Sequence, residues 1–94
     1  MKAAAVVTRE IRIRNRLGLH ARASAQFVRI AGAFQAEVTV EIGSQRVNAK
    51  SIMGLLLLAA AQGAVLTLRA VGTDAEAALR ALVELVEARF GEPE

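Results

Sequence analysis

The sequence predicts a two-layer α+β fold, in which helices cover one face of a largely antiparallel sheet. Three observations carry this expectation. Four short segments alternate apolar and polar residues with a period of two, so each offers one apolar face and needs cover on that side only. Three further segments carry apolar residues at helical spacing, and the order along the chain is strand, helix, strand, strand, helix, strand, helix. The 94 residues are 54% hydrophobic with Phe as the sole aromatic type, which predicts one domain over residues 1–94 with an aliphatic core.

The first residues, 1–7, read as an extension or a lead into the first strand. Ile11 and Ile13 then alternate with Glu10, Arg12 and Arg14, giving a strand over about residues 8–14. The turn that carries His20 follows, and then a helix to about Ala31. Ala21, Ser24, Ala25, Val28 and Ala31 fall at helical spacing and Gly32 supplies a stop, with Phe27 and Phe34 expected near the helix and its exit. Val38, Val40 and Ile42 alternate with Glu37, Thr39 and Glu41 as the second strand. Gly43-Ser44 is a two-residue hairpin signal that returns the chain as an antiparallel third strand over Gln45–Asn48.

A short second helix is expected to begin near Ser51 and to end before Gly63. The strand after it, Val65–Val71, turns Leu66, Leu68 and Ala70 to the core. Thr73-Asp74-Ala75-Glu76 fits a capping box at the start of the last helix. Its apolar stripe is Leu79, Leu82, Val83, Val86 and Phe90, and its wet side carries Glu76–Arg80 and Arg80–Glu84 as four-residue charge pairs. Gly91 and Pro93 are expected to end it.

Composition narrows the chemistry. There is no cysteine, one histidine (His20) and one aspartate (Asp74), so disulfides, thiolate metal sites and a Ser-His-Asp hydrolase are all disfavoured, and no metal or cofactor is expected. The net charge is +3, and Arg9, Arg12, Arg14, Arg16 and Arg22 lie close in sequence to the histidine, which favours anionic partners or phosphate. Nucleic acid is the rival reading. Without Tyr or Trp to stack on bases, and with acidic residues spread through the chain, it is disfavoured. The apolar run at the start ends at Thr8-Arg9-Glu10, too soon for a signal peptide. Residues 51–68 carry no charge but are broken by Gly54, Gln62-Gly63 and Thr67, which fits a helix followed by a strand rather than a membrane span. A cytoplasmic monomer without membrane insertion is expected.

His20 sits where the turn passes into the first helix, at or beside its N-cap. That end presents N–H groups without intrahelical partners and the positive pole of the macrodipole, a setting that attracts anions and disfavours imidazolium. A neutral imidazole there is a nucleophile. The N–H groups of Ala21 and Arg22 could hydrogen-bond the oxygens of a phosphoryl group on the ring, and the Arg22 guanidinium fork suits the same oxygens. Gly18 allows the tight turn that leaves the ring accessible.

Asn15-x-x-Gly18-Leu19-His20-Ala21-Arg22 resembles the active-site signature of the HPr family, the histidine-containing phosphocarriers of the bacterial phosphoenolpyruvate:sugar phosphotransferase system. The resemblance implies an open-faced β-sandwich with strand order 1-4-2-3 and three helices on one face. It implies that enzyme I phosphorylates His20 on Nδ1, that Arg22 and the backbone after His20 bind the phosphate, that Asn15 braces the loop, and that IIA components of sugar transporters receive the group. The chain is then a stoichiometric carrier rather than an enzyme.

A second stretch, Asn48-Ala49-Lys50-Ser51-Ile52-Met53-Gly54-Leu55, resembles the region around the family's regulatory serine. Ser51 aligns with the residue phosphorylated by HPr kinase/phosphorylase, although a helix N-cap needs serine for structural reasons alone. Ile52 and Met53 correspond to the family's apolar docking patch, so Met53 is expected to be at least partly exposed. One departure stands out: the family commonly has proline after the active-site arginine, where this chain has Ala23. The alternative function, within the same fold, is a regulatory adaptor that binds transcription factors or metabolic enzymes according to its phosphorylation state.

Overall fold

The computed structural model describes residues 5–94, which form a four-stranded antiparallel sheet in the order β1-β4-β2-β3 with three helices against one face. The strands are β1 (Val6–Arg12), β2 (Glu37–Ile42), β3 (Gln45–Asn48) and β4 (Val65–Val71); the helices are α1 (Ala21–Gly32), α2 (Ile52–Leu58) and α3 (Ala75–Glu87). The predicted layers and the strand order implied by the family resemblance are those observed. The first strand begins earlier than expected, at Val6, and stops at Arg12, while residues 1–4 of the expected extension lie outside the described residues.

Period two accounts for the sheet's two faces. In the β1–β4 register Ile11 lies opposite Leu66 and Val7 opposite Ala70, and in the β2–β4 register Val38 meets Ala70 and Val40 meets Leu68. These residues face the helices, and Val38, Val40, Leu66, Leu68 and Ala70 are fully buried. The alternate positions, including Thr8, Glu10, Arg12, Glu37 and Arg69, face away from the helices. Leu79, Leu82 and Val86 of α3 and Phe27 of α1 complete a core of aliphatic residues and phenylalanine.

Four local expectations need correction. The buried stripe of α1 is Ala23, Ser24, Phe27 and Ala31, whereas Ala21 and Ala25 are exposed. Phe27 is the bulky residue and its ring points the helix at the sheet; the spacing of small residues, which bury little area, misplaced the face by a fraction of a turn. The helix α2, by contrast, is short and ends before Gly63 as expected: it is two turns long and closes where Ala59 adopts a left-handed cap (φ 51°). The capping box at α3 does not form. Asp74 is the N-cap without a side-chain cap bond, and its carboxylate instead accepts the N–H groups of Gln35 and Ala36, both at 2.8 Å. Glu76 turns to Arg9 at 2.6 Å rather than to Arg80, because β1 brings a guanidinium across the α3 first turn.

The fourth correction concerns the chain's end. Helix α3 stops at Glu87, earlier than Gly91, and Arg89 and Phe90 then take φ values of +57° and +55°. Two successive left-handed residues other than glycine are costly, on the order of 1–2 kcal/mol each. The reversal places the Phe90 ring in the core, with 1% of its surface exposed, and that burial offsets the backbone strain. It also turns residues 91–94 back across the fold toward the loop that precedes α1. Among the described residues, no helix is long and apolar enough to cross a membrane.

Candidate functional site

The loop between β1 and α1 is fastened at both sides. The Ile13 N–H donates to Ala64 O and the Gly63 N–H to Ile13 O, at 2.9 and 2.8 Å, while the Leu19 N–H donates to Ala60 O at 2.9 Å. The connection between α2 and β4 thus forms the floor of the loop. On the other side the Arg16 N–H donates to Glu94 O at 3.0 Å. Gly18 takes φ +67°, and a Cβ there would lie 2.3 Å from Ala60 O, so both the backbone angle and the close approach require glycine. Leu19, buried beneath the loop, is the apolar anchor that precedes the histidine.

His20 is the N-cap of α1. Its backbone is extended (φ −73°, ψ −179°), its carbonyl accepts the Ser24 N–H at 2.8 Å, and its side chain caps the first turn: the Arg22 N–H points at Nδ1 at 3.3 Å. The Ser24 hydroxyl donates to Leu19 O at 3.1 Å and locks the turn from within. Among the described residues nothing accepts the N–H groups of Ala21 or Ala23. Of the first-turn donors, the Arg22 N–H faces the Nδ1 side of the ring, and the His20 side chain is about a quarter exposed.

The other ring nitrogen meets a residue that the sequence did not bring forward. Glu92 Oε2 lies 2.5 Å from His20 Nε2, and the Glu92 side chain is 6% exposed. Asn15 joins the same group: its Nδ2 donates to Gly18 O and to Glu92 Oε1, both at 2.9 Å. Both partners are acceptors, so the amide orientation is fixed even though Asn15 Oδ1 has no partner. The Asn15 hydrogen bond, opposed by burial and aided by His20 and Arg22, holds the Glu92 carboxyl below its ordinary range. The imidazole thus stands between the first turn of α1 on its Nδ1 side and the Glu92 carboxylate on its Nε2 side.

The arginines divide in the same way. Arg9 pairs with Glu76, Arg14 with Glu87 and Arg16 with Glu94, and Arg12 donates to Gly63 O. The expected arginine cluster is thus largely committed elsewhere. Among the described residues the Arg22 side chain has no ion-pair partner, and it lines a cleft with Arg16, Leu17, Glu92, Pro93 and Glu94. Among the described residues it is the one of the five whose guanidinium makes neither an ion pair nor a hydrogen bond, and it shares this cleft with Glu92, the partner of His20.

The second motif lies on α2. Ser51 is its N-cap, with Oγ accepting the Gly54 N–H at 3.0 Å, and Ile52, Met53 and Leu57 are exposed, Met53 at 66% and Leu57 at 70%. Leu17, in the histidine loop, is exposed as well.

A sheet of order 1-4-2-3 covered on one face by three helices, with a histidine capping the first of them, places the chain in the class of small open-faced α+β sandwiches. The family profile described as PTS HPr component phosphorylation site matches residues 7–88. The phosphocarrier protein HPr of Neisseria meningitidis serogroup B is 49% identical over 89 residues, covering 95% of this chain and all of that one. The crystal structure of HPr-C-His from Thermoanaerobacter tengcongensis superimposes with a TM-score of 0.91 at 46% identity, covering 94% of this chain and 99% of the other. Crh, the Bacillus subtilis catabolite repression HPr, is 42% identical with a TM-score of 0.64, covering 85% of this chain and 95% of the other. This chain belongs to the HPr family of the phosphotransferase system.

Proposed function

We propose that this chain is a stoichiometric phosphocarrier that accepts a phosphoryl group on His20 Nδ1 from enzyme I and passes it to IIA components of sugar transporters. The observation that carries this reading is the orientation of the ring: Nδ1 faces the first-turn N–H groups of α1 and Nε2 faces Glu92. With the proton on Nε2, Nδ1 holds a lone pair in the electropositive end of the helix. That lone pair attacks phosphorus while the bond to the donor breaks and the electron pair stays with the donor. The N–H groups of Ala21 and Arg22 and the Arg22 guanidinium would bind the phosphoryl oxygens, so the protein supplies position and electrostatic stabilisation. Gly18 and Asn15 hold the loop that sets His20 at the helix end. Onward transfer reverses the steps, with no net change in the carrier.

Ser51 is the candidate for regulation by an HPr kinase/phosphorylase. Phosphate on a helix N-cap is compatible with the fold, and its charge would sit beside exposed Ile52 and Met53, where it opposes apolar docking. The likeness to Crh, whose name couples this fold to catabolite repression, favours a second reading as a regulatory adaptor that uses the same α2 surface.

The test is incubation with phosphoenolpyruvate and enzyme I, read by intact mass. One added phosphoryl group, acid-labile and alkali-resistant, is expected on the protein and none on His20→Ala. An unmodified protein after incubation with its cognate enzyme I would overturn the carrier reading and leave the adaptor.

A further inference from the structure

We propose that Glu92 is a positioning residue for phosphoryl transfer, holding the Nε2 proton of His20 and balancing the charge that appears on the ring. The inference rests on the carrier reading above and deepens it. Glu92 lies outside residues 7–88, the segment matched by the family profile.

The first argument is one of contacts. Among the described residues the ring has two polar neighbours, the Arg22 N–H at 3.3 Å from Nδ1 and the Glu92 carboxylate at 2.5 Å from Nε2. The former is long for an N–H···N hydrogen bond, and it must be given up when Nδ1 bonds to phosphorus. The contact with Glu92 is therefore the only one of the two able to hold the ring before, during and after transfer.

The second argument is one of charge. Nδ1 uses its lone pair to form the N–P bond, the donor keeps the pair from the bond that breaks, and the Nε2 proton stays where it is. The imidazole thereby changes from neutral to cationic, with no proton released. A carboxylate already facing Nε2 is better matched to the cationic ring than to the neutral one, so its stabilisation grows along the reaction. Glu92 is suited to this because it is buried, and because Asn15 occupies its other oxygen and fixes its rotamer.

The third argument is the backbone. Glu92 reaches His20 only because Arg89 and Phe90 accept left-handed angles and Phe90 is anchored in the core. A continued α3 would carry residues 88–92 away from that reversal. Strain held at two residues for this purpose is what a functional contact would maintain.

Wild type, Glu92→Gln and Glu92→Ala are compared in single-turnover phosphorylation by enzyme I and phosphoenolpyruvate, with ring ¹⁵N shifts of His20 recorded above the pH range where imidazole titrates. In the wild type a protonated Nε2 and a bare Nδ1 are expected. In Glu92→Ala the two ring signals should move toward each other as the second tautomer is populated, and the transfer rate at saturating donor should fall by about tenfold or more. Glu92→Gln keeps an acceptor and loses the charge; its ring signals should stay separate while its rate falls. Fastening of the chain's end alone would lower thermal stability and leave both readouts where they were. Folded Glu92 variants that transfer at the wild-type rate overturn this proposal and leave the carrier reading intact. A wild type that accepts no phosphoryl group overturns both.

Discussion

At the scale of single residues, the histidine site depends on groups with few substitutes. Gly18→Ala combines a left-handed backbone with a Cβ driven into Ala60 O, and should destabilise the protein by about 2–4 kcal/mol, measured by urea unfolding. Arg22→Lys keeps the charge but loses the planar fork. Phosphorylation by enzyme I should slow by several-fold with the urea midpoint unchanged, since the side chain makes no ion pair among the described residues. Ala23→Pro, the residue the family commonly carries, should leave phosphorylation intact, because Ala23 N–H has no acceptor to lose within the described residues. His20 and Arg22 were legible in sequence because a helix start can be read from local spacing. Glu92 was not legible. Its approach to His20 spans 72 residues and depends on two left-handed residues and the burial of Phe90, none of which leaves a periodic signal. The only local hint was Gly91 and Pro93, which announce a change of direction without saying where the chain goes.

At the scale of elements, the errors of the sequence reading share a cause. Capping and charge-pair rules describe a helix alone, and at α3 tertiary neighbours take over both roles. Asp74 ties the entry of β2 to the start of α3, and the Gln35 N–H is the foremost cause of its carboxyl lying below the ordinary value of 3.8, joined by Ala36 and the charge of Lys50 and opposed by burial. A folded-state value below the unfolded one means that this carboxylate contributes stability fully above the ordinary value. The contribution is lost as pH falls through the lowered one. Asp74→Asn should therefore be less stable than wild type at neutral pH, with the difference closing in strong acid, as read by urea midpoints across that range. Ser51 makes the complementary case: it caps α2 in the way its position predicted, and Ser51→Ala should cost about 0.5–2 kcal/mol without any kinase being involved. That loss sets the baseline against which a regulatory effect of Ser51 has to be measured.

At the scale of the whole molecule, the charged sheet face and the exposed apolar surface of α2 fall on different elements. The sheet face away from the helices carries Glu10, Arg12, Glu37 and Arg69, while Ile52, Met53 and Leu57 of α2 and Leu17 of the histidine loop expose apolar surface. The α2 surface and the histidine loop are joined by one feature of the fold, the α2–β4 connection whose Ala60 O receives the Leu19 N–H. A partner seated on α2 would thus lie on the element that supports the His20 loop. Met53 occupies the first turn of α2, where a carboxylate is favoured by the helix dipole and the side chain contributes little to the core. Met53→Asp should keep stability within about 0.5 kcal/mol of wild type and leave the contacts of His20, Arg22 and Glu92 unchanged. Its effect should fall on encounter: the carrier concentration giving half-maximal transfer from enzyme I should rise by about tenfold, with little change in the saturated rate. A fall in the saturated rate alone would place the effect of α2 on the histidine loop instead. Unchanged kinetics on both counts would remove α2 from the docking surface and leave Leu17 as the next residue to test.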